Sequence, residues 1–211
     1  MRRAAKKSMT SPRGKAVWPH LNEPNTTFEP ATYEVTLHVS AEDAAPFIKM
    51  LEEFYAEGYK HECEDKKKSK LQRYDMPWKP VEDDQGQPTG EVAFKFKNKQ
   101  FYEIDGKQIE NRVLLLDAKK KPLGGGEGTA PMVGGGSTLV VGFHPLVWFT
   151  PMLGCGLSLR LKAAQVIDLV EANFGGGAGE FDFAEEEGFE SISTKASTPE
   201  SDAVSDEDFN F

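Results

Sequence analysis

The clearest chemical pattern in the sequence is an alternation of phenylalanine and lysine, Phe94-Lys95-Phe96-Lys97. Successive side chains of a β-strand point to opposite faces. The alternation therefore predicts two rings in a core and a row of lysines on one surface. Such a row can follow a nucleic-acid backbone by neutralising its phosphates. A solvated strand face is the alternative, and the pattern alone favours that alternative.

Several aromatic side chains lie outside the core periodicity. Trp18 follows a basic segment in a predicted loop, Trp78 lies between two prolines, and Trp148 and Phe149 lie in a predicted loop between strands. Exposed rings beside cations suit single-stranded nucleic acid, because each base that stacks on a ring contributes about 1–3 kcal/mol. Burial under a loop is the alternative for each ring. It is as good an interpretation for Trp148 and the better one for Trp78.

The last 32 residues are acidic and end in an aromatic ring. From Glu180 onward there are eleven acids and one base, Lys195, whereas residues 1–179 hold 23 acids and 24 bases. A solubilising tail is the usual explanation. Five phenylalanines in this segment suggest instead that it occupies the protein's own cationic groove or inserts its terminal ring into a partner. The residues predicted to dock on a partner are Asp206, Glu207, Asp208, Phe209 and Phe211.

Signals of an enzyme or a metal site are weak. The sequence lacks the GxxxxGK[ST], HExxH and GxSxG motifs. His61-Glu62-Cys63 is the only local cluster with metal-ligand chemistry, and tetrahedral zinc needs further ligands. The polar end of a helix is the favoured interpretation of that cluster. The glycine triplets can cradle phosphate, but loops between strands explain them better. We therefore predict no catalytic residue, metal or cofactor.

Short strands and one helix must position these residues. Segment 32–39 alternates as a half-buried strand, and Ser40 with Asp43 approximates a capping box that starts a helix over about 43–62. A long loop follows over 77–90. Several short strands with one helix predict a small β-barrel or sandwich. The further predicted strands are 91–102, 113–116, 139–143, 157–161 and 166–170.

Length and composition indicate one domain with tails. The 211 residues are 38% hydrophobic, and the first fifteen carry six bases and no acid, which predicts a basic arm. No run approaches the ~18–20 apolar residues of a membrane span, and no apolar segment follows the arm as in a secretion signal. Cys63 and Cys155 form no disulfide framework. A reducing cytoplasm is the predicted location.

In chain order these features resemble the single-stranded DNA-binding proteins of short-tailed lytic bacteriophages, which are replication, recombination and repair factors. The resemblance includes the basic arm, the Phe94–Lys97 strand and the acidic tail with its final phenylalanine. It also includes Leu114-Leu115-Leu116-Asp117 before a lysine-rich turn, Gly134-Gly135-Gly136-Ser137 before a strand, and 157–171 leading into Phe174-Gly175-Gly176-Gly177.

The resemblance implies a mainly β structure, an oligonucleotide/oligosaccharide-binding (OB) fold. This is a five-stranded Greek-key barrel with one capping helix, flanked by a disordered arm and a disordered tail. It implies the domains 1–16, 17–179 and 180–211, a homodimer, and a tail that docks on the phage DNA polymerase and primase-helicase. It places DNA contacts on the lysine-bearing strand and on an aromatic in the loop matched here by Trp148 and Phe149.

The combined prediction is a non-enzymatic, sequence-tolerant single-stranded DNA-binding protein in the cytoplasm of a bacterial host. The residues predicted to contact DNA are Trp18, Lys95, Lys97, Lys99, Arg112, Lys119, Lys120, Lys121, Trp148, Phe149 and Arg160. The alternatives are an acidic-tailed adaptor or chaperone, a nuclease, and an RNA-binding protein of the same fold.

Overall fold

The computed structural model describes residues 7–104, 106–124 and 130–172, all within a compact unit that covers Met1–Phe174. The predicted acidic tail and its partner-docking residues lie outside these ranges. Ten strands and one helix occur in the described residues. They are β1 (Met9–Thr10), β2 (Gly14–Asn25), β3 (Thr32–Ser40), α1 (Ala41–Asp65), β4 (Trp78–Glu82), β5 (Pro88–Lys99), β6 (Phe101–Ile104), β7 (Lys107–Glu110), β8 (Leu114–Leu116), β9 (Thr138–Thr150) and β10 (Gly154–Asp168).

Five strands close into a barrel. They follow one another in the order β9, β2, β3, β5 and β10, and β10 pairs with β9 to complete the circle. Every pairing is antiparallel except that of β5 with β10, which is parallel and places Phe96 beside Leu159. A mainly β chain that closes five strands into a barrel has the OB-like fold, as predicted.

The barrel interior is aromatic and aliphatic, and α1 covers one end of it. Phe94 and Phe96 are fully buried, as their alternation with lysine predicts. Phe47 of α1 packs its ring against Phe94 at 5.0 Å and against Phe143 at 5.9 Å between centroids. At Gly58 a side chain would collide with Val147 of β9, so the missing Cβ allows the helix to approach the strand closely.

Hydrogen bonds fix the start of α1 and attach its middle to the barrel. The Ser40 hydroxyl accepts the backbone N–H of Asp43 at 3.2 Å, which confirms the predicted start within two residues. The Tyr55 hydroxyl donates to the Cys155 carbonyl of β10 at 2.9 Å, and its burial raises the pKa of Tyr55 to about 12. The helix ends at Asp65, three residues beyond the predicted end at 62.

Strands are longer than predicted. The separate predictions 157–161 and 166–170 join in β10, and β9 runs seven residues beyond the predicted end at 143. Pro145 pairs with Leu159 of β10 and lies beyond the residues of β9 that pair with β1 and β2. Among the described residues β9 therefore has an edge at this point, where a proline is tolerated. The prediction of a loop at Trp148 and Phe149 was therefore wrong. The prediction of a loop over 77–90 was also wrong in part, because this segment contains the edge strand β4.

Part of the predicted N-terminal arm belongs to the sheet. Thr10 pairs with Gly142 of β9, Met9 is buried, and the Ser11 hydroxyl accepts the backbone N–H of Val141 at 2.9 Å. The prediction of a disordered arm is therefore wrong from residue 9 onward, because tertiary pairing fixes a segment too short to show a strand pattern by itself.

Candidate nucleic-acid interface

Cations from two neighbouring strands form one surface on the outside of the barrel. Lys95, Lys97 and Lys99 are exposed on the face of β5 opposite to its buried rings. The parallel pairing of β5 with β10 places Arg160 directly beside Lys97, and Arg160 is exposed as well. We call these four side chains the cationic face.

One acid partly neutralises the cationic face. Glu34 of β3 lies beside Lys97 in register, and its carboxylate accepts from Lys95 Nζ at 3.1 Å and from Asn25 Nδ2 at 2.9 Å. Burial by itself would raise the pKa of Glu34, but the hydrogen bonds from Asn25 and Lys95 and the lysine charge lower it below its usual value. Within the described ranges no acid pairs with Lys97, Lys99 or Arg160.

Glu34, Lys97 and Arg160 form a row across neighbouring strands, and a histidine lies at each end of this row. His144 of β9 lies beside Arg160, and His20 of β2 lies beside Glu34. Ser8 lies within hydrogen-bond distance of the His144 ring, with 3.0 Å between Oγ and Nε2. In the sequence these histidines are scattered, and no spacing rule connects them. Only strand register brings them into one row with Lys97.

A pair of aromatic rings lies on the outer surface of β9 and β10. Trp148 points away from the core, its ring lies against Gly156, and the ring of Tyr74 is 5.2 Å away between centroids. The indole Nε1 is buried without a hydrogen-bond partner among the described residues. Trp148 is four residues from His144, which corresponds to ~13 Å along the strand. We call Trp148 and Tyr74 the aromatic pair.

Tyr74 is a site residue that the sequence analysis missed. The segment before β4 runs beside the start of β10, where Tyr74 N–H donates to the Cys155 carbonyl and Cys155 N–H donates to the Gln72 carbonyl, both at 2.8 Å. This pairing turns the tyrosine ring to the side that carries Trp148. The surrounding charged sequence contains no alternation that would have indicated it.

Phe149 does not share the surface of Trp148. It packs against the core, and Lys66 Nζ of the segment after α1 lies 5.8 Å from its ring centroid. Consecutive residues of a strand face opposite ways, so the two rings do not lie side by side on one surface. Phe149 therefore lies on the other face of β9, and its role as a stacking residue stays a prediction.

Trp18 is exposed, although it lies in a strand rather than a loop. Its side chain is 82% accessible, and its backbone adopts the left-handed conformation at φ 49°. The residue occupies an irregularity of β2 between the pairs Val17 with Thr36 and His20 with Glu34. Since Thr36 and Glu34 are the register partners of Lys95 and Lys97, the ring lies on the β2 side of the cationic face.

Phage proteins of known structure and sequence are similar to this chain. The chain is 34% identical over 142 residues to the single-stranded DNA-binding protein of Escherichia phage T7, covering 63% of this chain and 58% of the T7 protein. It superposes on the crystal structure of gp2.5, a single-stranded DNA-binding protein encoded by bacteriophage T7, with a TM-score of 0.66 at 23% identity over 89% of this chain and 100% of that one. The resemblance to the phage single-stranded DNA-binding proteins is confirmed.

More distant structures agree on the fold. The single-stranded DNA-binding protein from bacteriophage Enc34 gives a TM-score of 0.54 at 15% identity over 81% of this chain and 86% of that one. Its complex with single-stranded DNA gives 0.51 at 14% over 79% and 89%. No protein-family model matches the chain. The alignment to the T7 protein spans less than two thirds of that protein's length.

Arg112 lies apart from the cationic face. It pairs with Glu110 at 3.1 Å and lines a mainly apolar groove of about 450 Å³ with Leu21, Tyr33 and Leu114. The segment between β7 and β8 that carries Arg112 does not pair with β5 or β10 in the described residues. The structure therefore does not group Arg112 with Lys97.

The lysine-rich turn also lies apart. Asp117 accepts the backbone N–H groups of Lys119 and Lys121, both at 2.8 Å, while Lys120 takes a left-handed conformation between them. The turn follows β8, which pairs with β10 at residues 163–165, up to ~17 Å along β10 from Arg160. Lys119, Lys120 and Lys121 are therefore a second basic patch and not part of the cationic face.

The remaining site interpretations follow from burial. Trp78 packs against the core with its ring 6.2 Å from that of Phe94, as favoured. The His61 side chain is exposed and Cys63 is buried, so these two neighbours point apart.

No group of three metal-ligating side chains occurs among the described residues. In the same residues no helix has the length and apolar character needed to cross a bilayer.

Proposed function

We propose that this protein binds single-stranded DNA without sequence preference. The observation that carries the proposal is the pair Lys97 and Arg160, which lie side by side without an acidic partner among the described residues. Rings lie on both sides of this pair. Trp18 on β2 is exposed, and in the aromatic pair Tyr74 is exposed while Trp148 on β9 is half-buried. The similarity to phage single-stranded DNA-binding proteins supports the same conclusion.

The proposed mechanism divides the contacts into two kinds. Lys97, Lys99 and Arg160 neutralise phosphates, so binding weakens as salt rises, with a slope of about 0.7 per phosphate for a single strand. Trp18 and the aromatic pair stack on bases. Every base has a stacking face, so recognition by rings and charges tolerates any sequence. No residue has to form or break a covalent bond.

A competition experiment tests the proposal against its alternatives. Single-stranded DNA, single-stranded RNA and duplex DNA of equal length compete for the protein at about 50 mM salt, where phosphate contacts are strong. We expect single-stranded DNA to win, because a duplex keeps its bases stacked on one another. Preferential binding of RNA would favour an RNA-binding role. Absence of all nucleic-acid binding would leave the adaptor or chaperone role.

Replacing Glu34 by glutamine is expected to tighten binding. The change frees Lys95 from an ion pair that contributes about 0.2–1 kcal/mol, so affinity should rise up to about fivefold. The salt dependence should steepen by about 0.7 if Lys95 then contacts a phosphate. The measurement is a titration of labelled single-stranded DNA over a salt series.

The control for that experiment is Glu52→Gln on the exposed side of α1, which removes the same charge away from the cationic face. Equal tightening by both variants would contradict a specific role for Glu34. The hydrogen bonds and the lysine charge lower the pKa of Glu34 below its usual value, so the carboxylate is ionised at neutral pH. The difference between Glu34→Gln and the unchanged protein should therefore be constant at neutral pH and disappear as the pH falls through that lowered pKa. The contribution of the ionised Glu34 carboxylate to the stability of the folded protein is lost over the same pH range.

We further propose that the acidic tail from residue 180 docks on the phage DNA polymerase and primase-helicase and competes with DNA for the cationic face. The support is its charge of −10 and its terminal Phe211. The place of action would be the cytoplasm of the host cell, in replication, recombination and repair, with the protein as a homodimer.

Truncation after Gly179 tests both roles of the tail. We expect the truncated chain to bind single-stranded DNA several-fold more tightly at low salt, with a difference that shrinks as salt screens the charges. The same truncation should abolish capture of the polymerase by the immobilised protein. Equal DNA affinities at low salt would contradict the competition, and unchanged capture would contradict the docking.

A further inference from the structure

The β6–β7 hairpin has two faces of different chemistry. Its register pairs Phe101 with Glu110, Tyr102 with Ile109, Glu103 with Gln108 and Ile104 with Lys107. Residues directly opposite each other share a face, so the members sort into two sets. The first face holds Phe101, Glu103, Gln108 and Glu110. The second, which we call the apolar hairpin face, holds Tyr102, Ile104, Lys107 and Ile109.

The apolar hairpin face has no cover within the described part of the chain. Tyr102, Ile104 and Ile109 are all exposed, and the two strands pair only with each other. A two-stranded hairpin is only marginally stable by itself in water, so exposed apolar side chains on it suggest a binding partner. Both described acids of the hairpin strands lie on the other face, which leaves this one with a single charge, that of Lys107.

The hairpin follows the end of the cationic face in the chain. Lys99 ends β5, and β6 starts two residues later. Asn111 holds this junction, because its Nδ2 donates to the Lys99 carbonyl at 2.8 Å and its Oδ1 accepts from Lys162 Nζ at 3.0 Å. Tyr102 is five residues from Lys97, which corresponds to ~16 Å along an extended chain. A polyanion that follows the cationic face past Lys99 therefore reaches the hairpin.

We propose that the apolar hairpin face is a second contact site for single-stranded nucleic acid, in which Tyr102 stacks on a base and Lys107 binds a phosphate. The inference rests on the proposed function and extends its surface. A second copy of the chain suits this face less well. In a symmetric dimer the same patch meets itself, which would bring two Lys107 charges together with no described acid on the face to balance them.

The experiment compares two neighbouring aromatic residues. Tyr102 and Phe101 are each 40% exposed but lie on opposite faces. We expect Tyr102→Ala to weaken binding of an oligonucleotide of about 16 nucleotides at least fivefold, while one of about 4 nucleotides loses less than twofold. Phe101→Ala should leave both affinities unchanged. Tyr102→Phe, which keeps the ring, should restore the affinity for the longer strand.

Each other outcome is decisive. Equal losses from Phe101→Ala and Tyr102→Ala would show that the hairpin acts through its folding and would overturn the inference. Unchanged affinity of Tyr102→Ala would overturn it while leaving the proposed function intact. A change of oligomeric mass in Tyr102→Ala without a change of DNA affinity would assign the face to a second copy. Failure of the unchanged protein to bind the longer strand would refute both proposals.

Discussion

Replacing Lys97 and Arg160 together by alanine is expected to weaken single-stranded DNA binding about 100-fold or more at low salt. The two cations lie side by side on β5 and β10, and neither has an acidic partner in the described chain. A hydrogen bond to a charged group contributes about 1.5–3 kcal/mol, so two lost phosphate contacts remove at least ~3 kcal/mol. Both side chains are on the outside of the barrel, so the fold should remain stable.

A salt series identifies the nature of this loss. The slope of log K against log salt should fall by about 1.4, which is two phosphates at about 0.7 each. The matched control is Lys49→Ala with Lys60→Ala, which removes two charges from the exposed side of α1. If the control loses as much affinity as the Lys97 and Arg160 variant, binding follows net charge, and the cationic face has no special role.

Replacing Trp148 by alanine is expected to weaken binding about tenfold to 100-fold, with little change in the salt slope. A base that stacks on an aromatic ring contributes about 1–3 kcal/mol, and this contribution does not depend on counterion release. Trp148 faces outward next to Tyr74, on the strand that carries His144 beside Arg160. An unchanged slope of log K against log salt would distinguish this loss from the loss of a phosphate-binding residue.

The stability of the protein has to be measured with the affinity, because the Trp148 ring also covers Gly156. Trp148→Phe keeps an aromatic surface and should retain most of the affinity. Tyr74→Ala removes the second ring of the aromatic pair without opening the surface above Gly156, and it should lower the affinity by a smaller factor. A folded Trp148→Ala protein with unchanged affinity would exclude the aromatic pair from the interface.

The tertiary structure explains why some predicted residues separate. Lys119, Lys120 and Lys121 are near Lys97 in the sequence, but the intervening hairpin and β8 carry them along β10 away from Arg160. Phe149 adjoins Trp148 in the sequence but faces the core, because their segment is a strand and not a loop. Proximity in sequence is a poor guide in a barrel, since most neighbours come from different strands.

The sequence by itself determined the buried rings, the exposed lysines, the start of α1 and the charge of the tail. Each of these follows from a local rule. Phe94 and Phe96 alternate with lysines at the period of a strand, so their burial and the lysines' exposure follow together. Ser40 and Asp43 have the spacing of a helix cap. Such rules act within a few residues and do not require knowledge of the partner strand.

Only the tertiary structure decided which of these residues share a surface. The parallel pairing of β5 with β10 sets Arg160 beside Lys97, and the bridge next to β10 brings Tyr74 to Trp148. Strand register is fixed by the packing of the whole core, and a shift by one residue would turn every side chain to the other face. The separate cations and rings of the sequence become one surface because the barrel closes in this register.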